Sequence, residues 1–224
     1  MPHQIWTAAL GLGFALGLRH ALEPDHIVAV STIVSQSRSI ARSTLVGTSW
    51  GLGHTASLFL AGIAVIGLKL TIPKGMALWM ELAVAAMLFG LGFNAMRTAF
   101  NGWRFHRHPH EHEGDEHGHL HVHPPAPFRG GMRPFLVGMV HGLAGSGALM
   151  LLVLTTVPSP IAGLGYILTF GLGSTGGMLL MSSVIGMPFV WSSGRFHRFS
   201  QGLQIAVGAG SMVFGCFYAL QQLK

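Results

Sequence analysis

The sequence predicts an all-α polytopic membrane protein, in which six transmembrane helices form an inverted repeat of three plus three. Half of the 224 residues are hydrophobic and only 9% are charged, whereas about 25% of the residues of a soluble domain are charged. The chain contains six apolar runs, and a helix needs about 20 apolar residues to span a bilayer. Glycine is also abundant, with 32 residues, as is common where membrane helices pack closely.

The first three apolar runs make up the first predicted repeat, residues 1–100. They are Ile5–Val34, Thr44–Leu68 and Met76–Phe100. The first run is too long for one straight span, and Pro24 lacks the backbone N–H that a helix interior uses. We therefore expect this helix to be broken between His20 and His26.

The other three apolar runs make up the second predicted repeat, residues 134–224. They are Pro134–Val157, Pro160–Trp191 and Gln201–Leu220. The middle run is about as long as the first run of the chain and is rich in glycine. We therefore expect the fifth helix to be broken in the same way as the first.

Similar short segments in the two halves support the repeat. Gly17-Leu18-Arg19-His20 resembles Gly138-Met139-Val140-His141, and Gly51-Leu52-Gly53-His54-Thr55 resembles Gly171-Leu172-Gly173-Ser174-Thr175. The spacing is 34 residues from His20 to His54 and 33 residues from His141 to Ser174. Because each half has an odd number of helices, the halves run in opposite directions, which is the architecture of many transporters.

The basic residues between the runs indicate the orientation. One side of the membrane receives nine arginines and the other three lysines, and the side richer in basic residues is normally cytoplasmic. The arginines are Arg38, Arg42, Arg97, Arg104, Arg107, Arg129, Arg133, Arg195 and Arg198, and the lysines are Lys69, Lys74 and Lys224. Both termini then face outward, and the chain is a multi-pass protein of a bacterial cytoplasmic (inner) membrane.

A cluster of ionisable residues lies in the first apolar run, between Arg19 and His26. One charged group in the bilayer costs about 2.5–3.5 kcal/mol on insertion scales, so such a cluster indicates a function. His20, Asp25 and His26 form an H-x4-D-H pattern, and imidazole with carboxylate suits a divalent transition metal. On a straight helix these side chains would diverge, so they can meet only at the expected break.

Other polar residues of the apolar runs have more than one interpretation. His54 is either a metal ligand or a hydrogen-bonding partner between helices, and Glu23 is a ligand, a proton acceptor or, as we prefer, the partner of Arg19. Glu81 is either a proton-coupling carboxylate or an interfacial residue. His141 fits gating or support of the ligands better than direct ligation, and Ser174 is expected to be a packing hydroxyl.

The segment between the halves, residues 101–133, is expected to be a disordered cytoplasmic loop. Its alternating histidines suit an extended chain that wraps a metal ion with neutral imidazoles. These histidines are His106, His108, His110, His112, His117, His119, His121 and His123. The loop is either a metal buffer or sensor, or a tether whose metal binding is incidental.

The stretch Leu18–Ile27 resembles the signature R-H-A-x-D-A-D-H-I of the nickel/cobalt transporter (NiCoT) superfamily. The segment Leu52-Gly53-His54-Thr55 resembles the second motif of that family, L-G-H-S. The resemblance implies that His20, Asp25, His26 and His54 are metal residues. The chain lacks the acidic motif of the classical importers and has six apolar runs instead of eight helices, which indicates the UreH-like and NicO branch.

We therefore expect a secondary transporter of Ni²⁺, or of Co²⁺, with uptake preferred over efflux. No phosphate-binding loop motif is present in the sequence, so we expect neither ATP hydrolysis nor another enzymatic activity, and no prosthetic group or nucleic-acid partner. The alternatives are an efflux protein, a membrane metallochaperone that works with the maturation proteins of urease or hydrogenase, and an intramembrane metalloenzyme. The expected partners are the metal ion and the lipid bilayer.

Overall fold

A computed structural model of the protein describes residues 2–68, 73–104, 131–144, 159–193 and 197–224. These residues form seven helices and no strand, which confirms the all-helical prediction. The helices are α1 (Pro2–His20), α2 (Pro24–Val34), α3 (Ile40–Leu68), α4 (Lys74–Arg104), α5 (Met132–Leu143), α6 (Pro160–Ser193) and α7 (His197–Gln222). The eight loop histidines lie outside the described residues.

Among the described residues, three helices contain a span that is long and apolar enough to cross a membrane. They are α4, α6 and α7. The spans are Gly75–Phe100, Pro160–Ser192 and Arg198–Gln222. Large apolar side chains are exposed along them, for example Trp79, Ile161 and Val213, as expected of surfaces that face lipid. Helix α3 is also long, with 29 residues.

The first apolar run is broken where the sequence predicts it. Helix α1 ends at His20, and the N–H groups of Leu22 and Glu23 donate to the carbonyls of Arg19 and His20 in a tight turn. Glu23 is extended, with φ −66° and ψ 148°, and Pro24 is the first residue of α2. Proline fits this first position because its missing N–H has no partner within the helix.

The fifth apolar run is not broken, and that prediction was wrong. Helix α6 is continuous over its 34 residues, with Pro188 inside it. Its glycines allow close contacts with neighbouring helices instead of a break. In the second half, the short helix lies in the fourth apolar run and not in the fifth. This helix, α5, ends at Leu143, because Ala144 leaves the helical region with φ −93° and ψ −98°.

The helices pack in two groups with α2 between them. In the first group α3 lies against α6, α1 packs on α6, and α5 packs on α3; the second group is the pair of α4 and α7. Helix α2 contacts α6 on one side and α4 and α7 on the other. Its residues Ala29, Val30 and Val34 lie in the core together with Val84 and Leu88 of α4.

The contacts of α1 with α6 are repeated in the contacts of α5 with α3. At each, a glycine Cα faces a backbone carbonyl so closely that an added Cβ would lie only 2.0–2.1 Å from its oxygen. The two matched pairs of contacts are Gly17 on Phe170 with Gly138 on Trp50, and Gly173 on Phe14 with Gly53 on Phe135. Each residue corresponds to one that lies 120 or 121 positions away in the other half.

Candidate metal centre

Five side chains that can bind a metal meet where α1, α2, α3 and α5 approach one another. His20 ends α1, Asp25 and His26 begin α2, His54 lies mid-way along α3, and His141 lies in the last turn of α5. None of the five residues is more than 8% exposed. The turn after His20 is what allows residues so close in sequence to face a common point.

One group of possible ligands is made of three imidazoles, from His20, His26 and His54. One ligand atom from each lies within 4.8 Å of the others, and Nε2 of His20 is 3.3 Å from Nε2 of His54. Two nitrogens bound tetrahedrally to a metal at about 2.0–2.1 Å would be separated by about 3.3–3.4 Å. The spacing of these two imidazoles therefore matches that of ligands to a first-row transition metal.

A second group is made of Asp25, His26 and His141, and it shares His26 with the first. Asp25 Oδ1 accepts from Nδ1 of His26 at 3.1 Å and from its backbone N–H at 3.0 Å. Asp25 Oδ2 accepts from Nε2 of His141 at 3.0 Å. Because a carboxylate can only accept, both imidazole nitrogens carry the hydrogen in this arrangement.

Those hydrogen bonds determine which imidazole nitrogens keep a lone pair. Nε2 of His26 and Nδ1 of His141 are buried and have no hydrogen-bond partner among the described residues. A carboxylate that receives the N–H of a metal-binding imidazole fixes its tautomer and orientation. Asp25 therefore prepares Nε2 of His26 to bind a cation.

Two aromatic rings cover the cluster. Trp50, which is fully buried, stacks on His26 with 5.7 Å between ring centroids and lies 5.5 Å from His141. Phe170 lies 5.3 Å from His20, and it is the residue that corresponds to Trp50 in the other half. These rings make the surroundings of the ligands apolar, which strengthens their electrostatic interaction with a cation.

Glu23 contacts His20 instead of Arg19, which corrects the preferred pairing. Its Oε2 lies 3.0 Å from Nδ1 of His20, and its side chain is 45% exposed. If His20 donates this hydrogen, its Nε2 keeps the lone pair that faces His54. Glu23 thus orients a possible ligand from the more accessible side of the cluster.

The remaining candidates lie outside the two groups. Glu81 of α4 accepts a hydrogen bond from Tyr218 of α7, and it does not belong to either group. Ser174 is fully buried, and the backbone at this residue packs closely on Gly17. The structure therefore places the predicted residues His20, Asp25, His26 and His54 together, and adds His141.

Trp50, Phe170 and Tyr218 were not anticipated from the sequence, and neither was the contact of His141 with Asp25. For Trp50 a signal was present, because it precedes His54 by four residues and so lies on the same face of α3. The position of His141 as the counterpart of His20 also indicated a place in the cluster. For Phe170 and Tyr218 we find no comparable sequence signal.

The chain resembles proteins of nickel transport over most of its length. The sequence model of the NicO family, described as a high-affinity nickel-transport protein, matches residues 6–193. The urease accessory protein UreH of Bacillus sp. (strain TB-90) is 39% identical over 179 residues, which cover 79% of this chain and 75% of that protein. No solved structure matches the chain. Because the match includes all five residues of the buried cluster, sequence and site agree, and the chain belongs to the NicO family of nickel-transport proteins.

Proposed function

We propose that this protein is a secondary transporter that carries Ni²⁺, or Co²⁺, across the bacterial cytoplasmic membrane. One observation carries the proposal: four imidazoles and an aspartate are buried together among apolar helices, in two groups of three whose possible ligand atoms lie within 4.8 Å of one another. Buried polar groups at membrane depth are costly and usually belong to a substrate pathway. The family is described as one of high-affinity nickel transport.

The proposed ligands are His20, Asp25, His26 and His54. Imidazole binds nickel and cobalt well, and one carboxylate offsets part of the charge of a divalent ion. Glu23 is proposed to orient His20 and, because it is partly exposed, to attract the incoming cation. Arg19, His141 and Ser174 are proposed to act around the ligands or in gating, and Glu81, which contacts Tyr218 and belongs to neither group of ligands, in gating only.

The proposed direction is uptake. A membrane potential of 100 mV, negative inside, contributes about 2.3 kcal/mol per elementary charge, and therefore about 4.6 kcal/mol for a divalent cation. No other energy source is needed to accumulate nickel in the cell. The same site could release metal outward if protons were exchanged for it, because imidazoles must be deprotonated to bind metal.

The proposed mechanism is alternating access by an inverted repeat of three plus three helices. The matched glycine contacts of α1 on α6 and of α5 on α3 support it, because each residue there has its counterpart in the other half. The distribution of basic residues supports a cytoplasmic location for the arginine-rich ends and for the histidine-rich loop. Substrate near the midplane at interrupted helices is typical of this architecture.

The test is the flux of ⁶³Ni²⁺ into proteoliposomes under an imposed potential. We expect His26→Ala to abolish the flux, because His26 belongs to both groups of ligands. The control is His197→Ala, which removes a histidine at the start of α7, and we expect it to transport like the wild type. Flux that is equal in all three proteins would contradict the proposed site. Metal movement only when the imposed potential drives cations out of the vesicles would indicate efflux.

A second candidate is a membrane metallochaperone, which the relative named as a urease accessory protein favours. In that case the histidine-rich loop would deliver nickel to a maturation protein, and the helices would only anchor it. Deletion of residues 104–123 separates the two functions. A transporter keeps its ⁶³Ni²⁺ flux without the loop, whereas a chaperone loses metal delivery although its membrane part still binds nickel.

A further inference from the structure

We infer that the metal occupies two positions in turn, and that His26 is a ligand in both. The first position is formed by His20, His26 and His54, and the second by Asp25, His26 and His141. The inference rests on the proposed function and deepens it, because it makes His141 a ligand on the transport path. Both sets are buried, and both place their possible ligand atoms within 4.8 Å of one another.

The two positions use different nitrogens of the same ring. Nδ1 of His26 is hydrogen-bonded to Asp25, whereas Nε2 is buried without a hydrogen-bond partner among the described residues. A metal in the first position would use Nε2, and a metal in the second would use Nδ1. Because the two ring nitrogens of an imidazole point in different directions, the ion releases Nε2 before it binds Nδ1, and the two positions lie on different sides of the His26 ring.

When the metal moves to the second position, the protein neither gains nor loses a proton. The metal replaces the two hydrogens that Asp25 accepts, one on Nδ1 of His26 and one on Nε2 of His141. Each hydrogen shifts to the other nitrogen of its ring as that ring changes tautomer. Nε2 of His26 can take its hydrogen once the metal has left it, and Nδ1 of His141 has no hydrogen-bond partner among the described residues that would block the transfer.

We order the positions by the side of the membrane from which their helices enter. Helix α1 enters from the predicted outer side and brings His20, whereas α5 enters from the arginine-rich side and brings His141. Trp50, which precedes His54 on α3 and so lies nearer the arginine-rich end, contacts His141, and this agrees with that order. The first position therefore faces outward and the second faces inward.

A cavity continues the path on the inward side. It has a volume of about 640 Å³ and is lined by residues of α2, α3, α4 and α5. Val137, one turn before His141 on α5, and Thr32 of α2 belong to its lining. Arg42 and Arg133 also line it and offer no ligand to a cation, so a metal ion that leaves His141 would be released there and not retained.

The test is Co²⁺ binding, followed by visible absorption and by the number of ions bound per chain, together with flux. Because both positions use His26, we expect one ion at the cluster, measured in chains whose loop histidines are replaced by serine. His54→Ala and His141→Ala should each still bind one ion, with different spectra, and the double variant should bind none. Flux should fall by about 10–100-fold in each single variant, the range typical of lost ligand-shell residues.

The controls separate a lost ligand from a lost fold. His141→Gln keeps a hydrogen-bond donor for Asp25 but is a poor ligand, so we expect it to lose flux as His141→Ala does, while His197→Ala remains normal. Wild-type flux in His141→Gln, or loss of all binding in either single variant, would overturn the two positions. If the wild type binds in the expected pattern but moves no metal, the two positions are supported and the proposed transport fails.

Discussion

At the scale of single residues, Asp25 is the centre of the candidate site. It accepts three hydrogen bonds, two from His26 and one from His141, although His141 is 116 residues away along the chain. Its charge is compensated by donors on every side, which is the condition under which a carboxylate tolerates burial. Asp25 thus holds two imidazoles in defined tautomers before any metal arrives.

This role of Asp25 predicts the effect of replacing it by an amide. Asp25→Asn keeps the shape but turns one accepting oxygen into a donor, which then faces an N–H of His26 or His141. At least one of the two rings must change tautomer or move, so we expect the affinity for Ni²⁺ to fall by about 10–100-fold. Titration calorimetry of the detergent-solubilised protein measures it.

The matched control for Asp25→Asn is Glu81→Gln, the same change in an acid that contacts Tyr218 and not the cluster. We expect the affinity for Ni²⁺ to be unchanged in this variant. Equal losses in both variants would mean that the effect of Asp25 is one of overall charge and not of ligand geometry.

At the scale of helices, the sequence predicts interruptions well only where a residue forces them. Pro24 lacks a donor, so the break before it was predictable, and it determines where Asp25 and His26 point. Glycine is ambiguous, because it favours both a break and a close helix contact. In α6 the glycines allow neighbouring helices to pack closely, as Gly173 does against Phe14, and the helix remains continuous. The end of α5 at Leu143 has no such signal, and neither does its approach to Asp25.

The close contact of α1 with α6 predicts a strong effect of a small substitution. In Gly17→Ala the new Cβ would lie 2.0 Å from the carbonyl oxygen of Phe170. The helices must separate, and overpacking of this kind costs about 1–3 kcal/mol. The midpoint of unfolding by SDS, titrated into dodecyl maltoside micelles, reports the loss of stability.

The control for Gly17→Ala lies on the same helix. Gly11→Ala adds the same methyl group where nothing lies within 4 Å, so we expect no loss of stability. Gly138→Ala, the corresponding substitution in the other half, should cost about as much as Gly17→Ala because its Cβ would meet Trp50 at 2.1 Å. A harmless Gly138→Ala would contradict the equivalence of the two contacts.

At the scale of the whole molecule, the proposed ligands are divided between parts that pack differently. His20, His54 and His141 belong to the group formed by α1, α3, α5 and α6, whereas Asp25 and His26 lie on α2, which also packs against α4 and α7. Movement of the α4–α7 pair would therefore change the distances between ligands. Four of the proposed ligands were predictable, three from the H-x4-D-H pattern and His54 from the short second motif. Their division between two groups of helices was not, because it depends on contacts between distant segments that no local pattern encodes.

The eight histidines of the loop allow a prediction about the flux and the metal content of the whole protein. Replacing its eight histidines by serine should leave ⁶³Ni²⁺ flux unchanged, because the proposed path runs through the helices. The metal retained per chain at equilibrium should fall, as the loop imidazoles would no longer bind it. Flux and metal content, measured on the same proteoliposomes, provide the comparison, and a loss of flux would assign the loop to the path.

The burial of the cluster also has a kinetic consequence. Because none of its five residues is more than 8% exposed, a nickel ion bound among them would be beyond the reach of a chelator in the medium. The time that the ion stays bound is then determined by how often the helices open, and not by its affinity alone. A brief wash with EDTA should strip surface metal and leave this ion in place, so that the slow release that follows reports the opening rate of the protein.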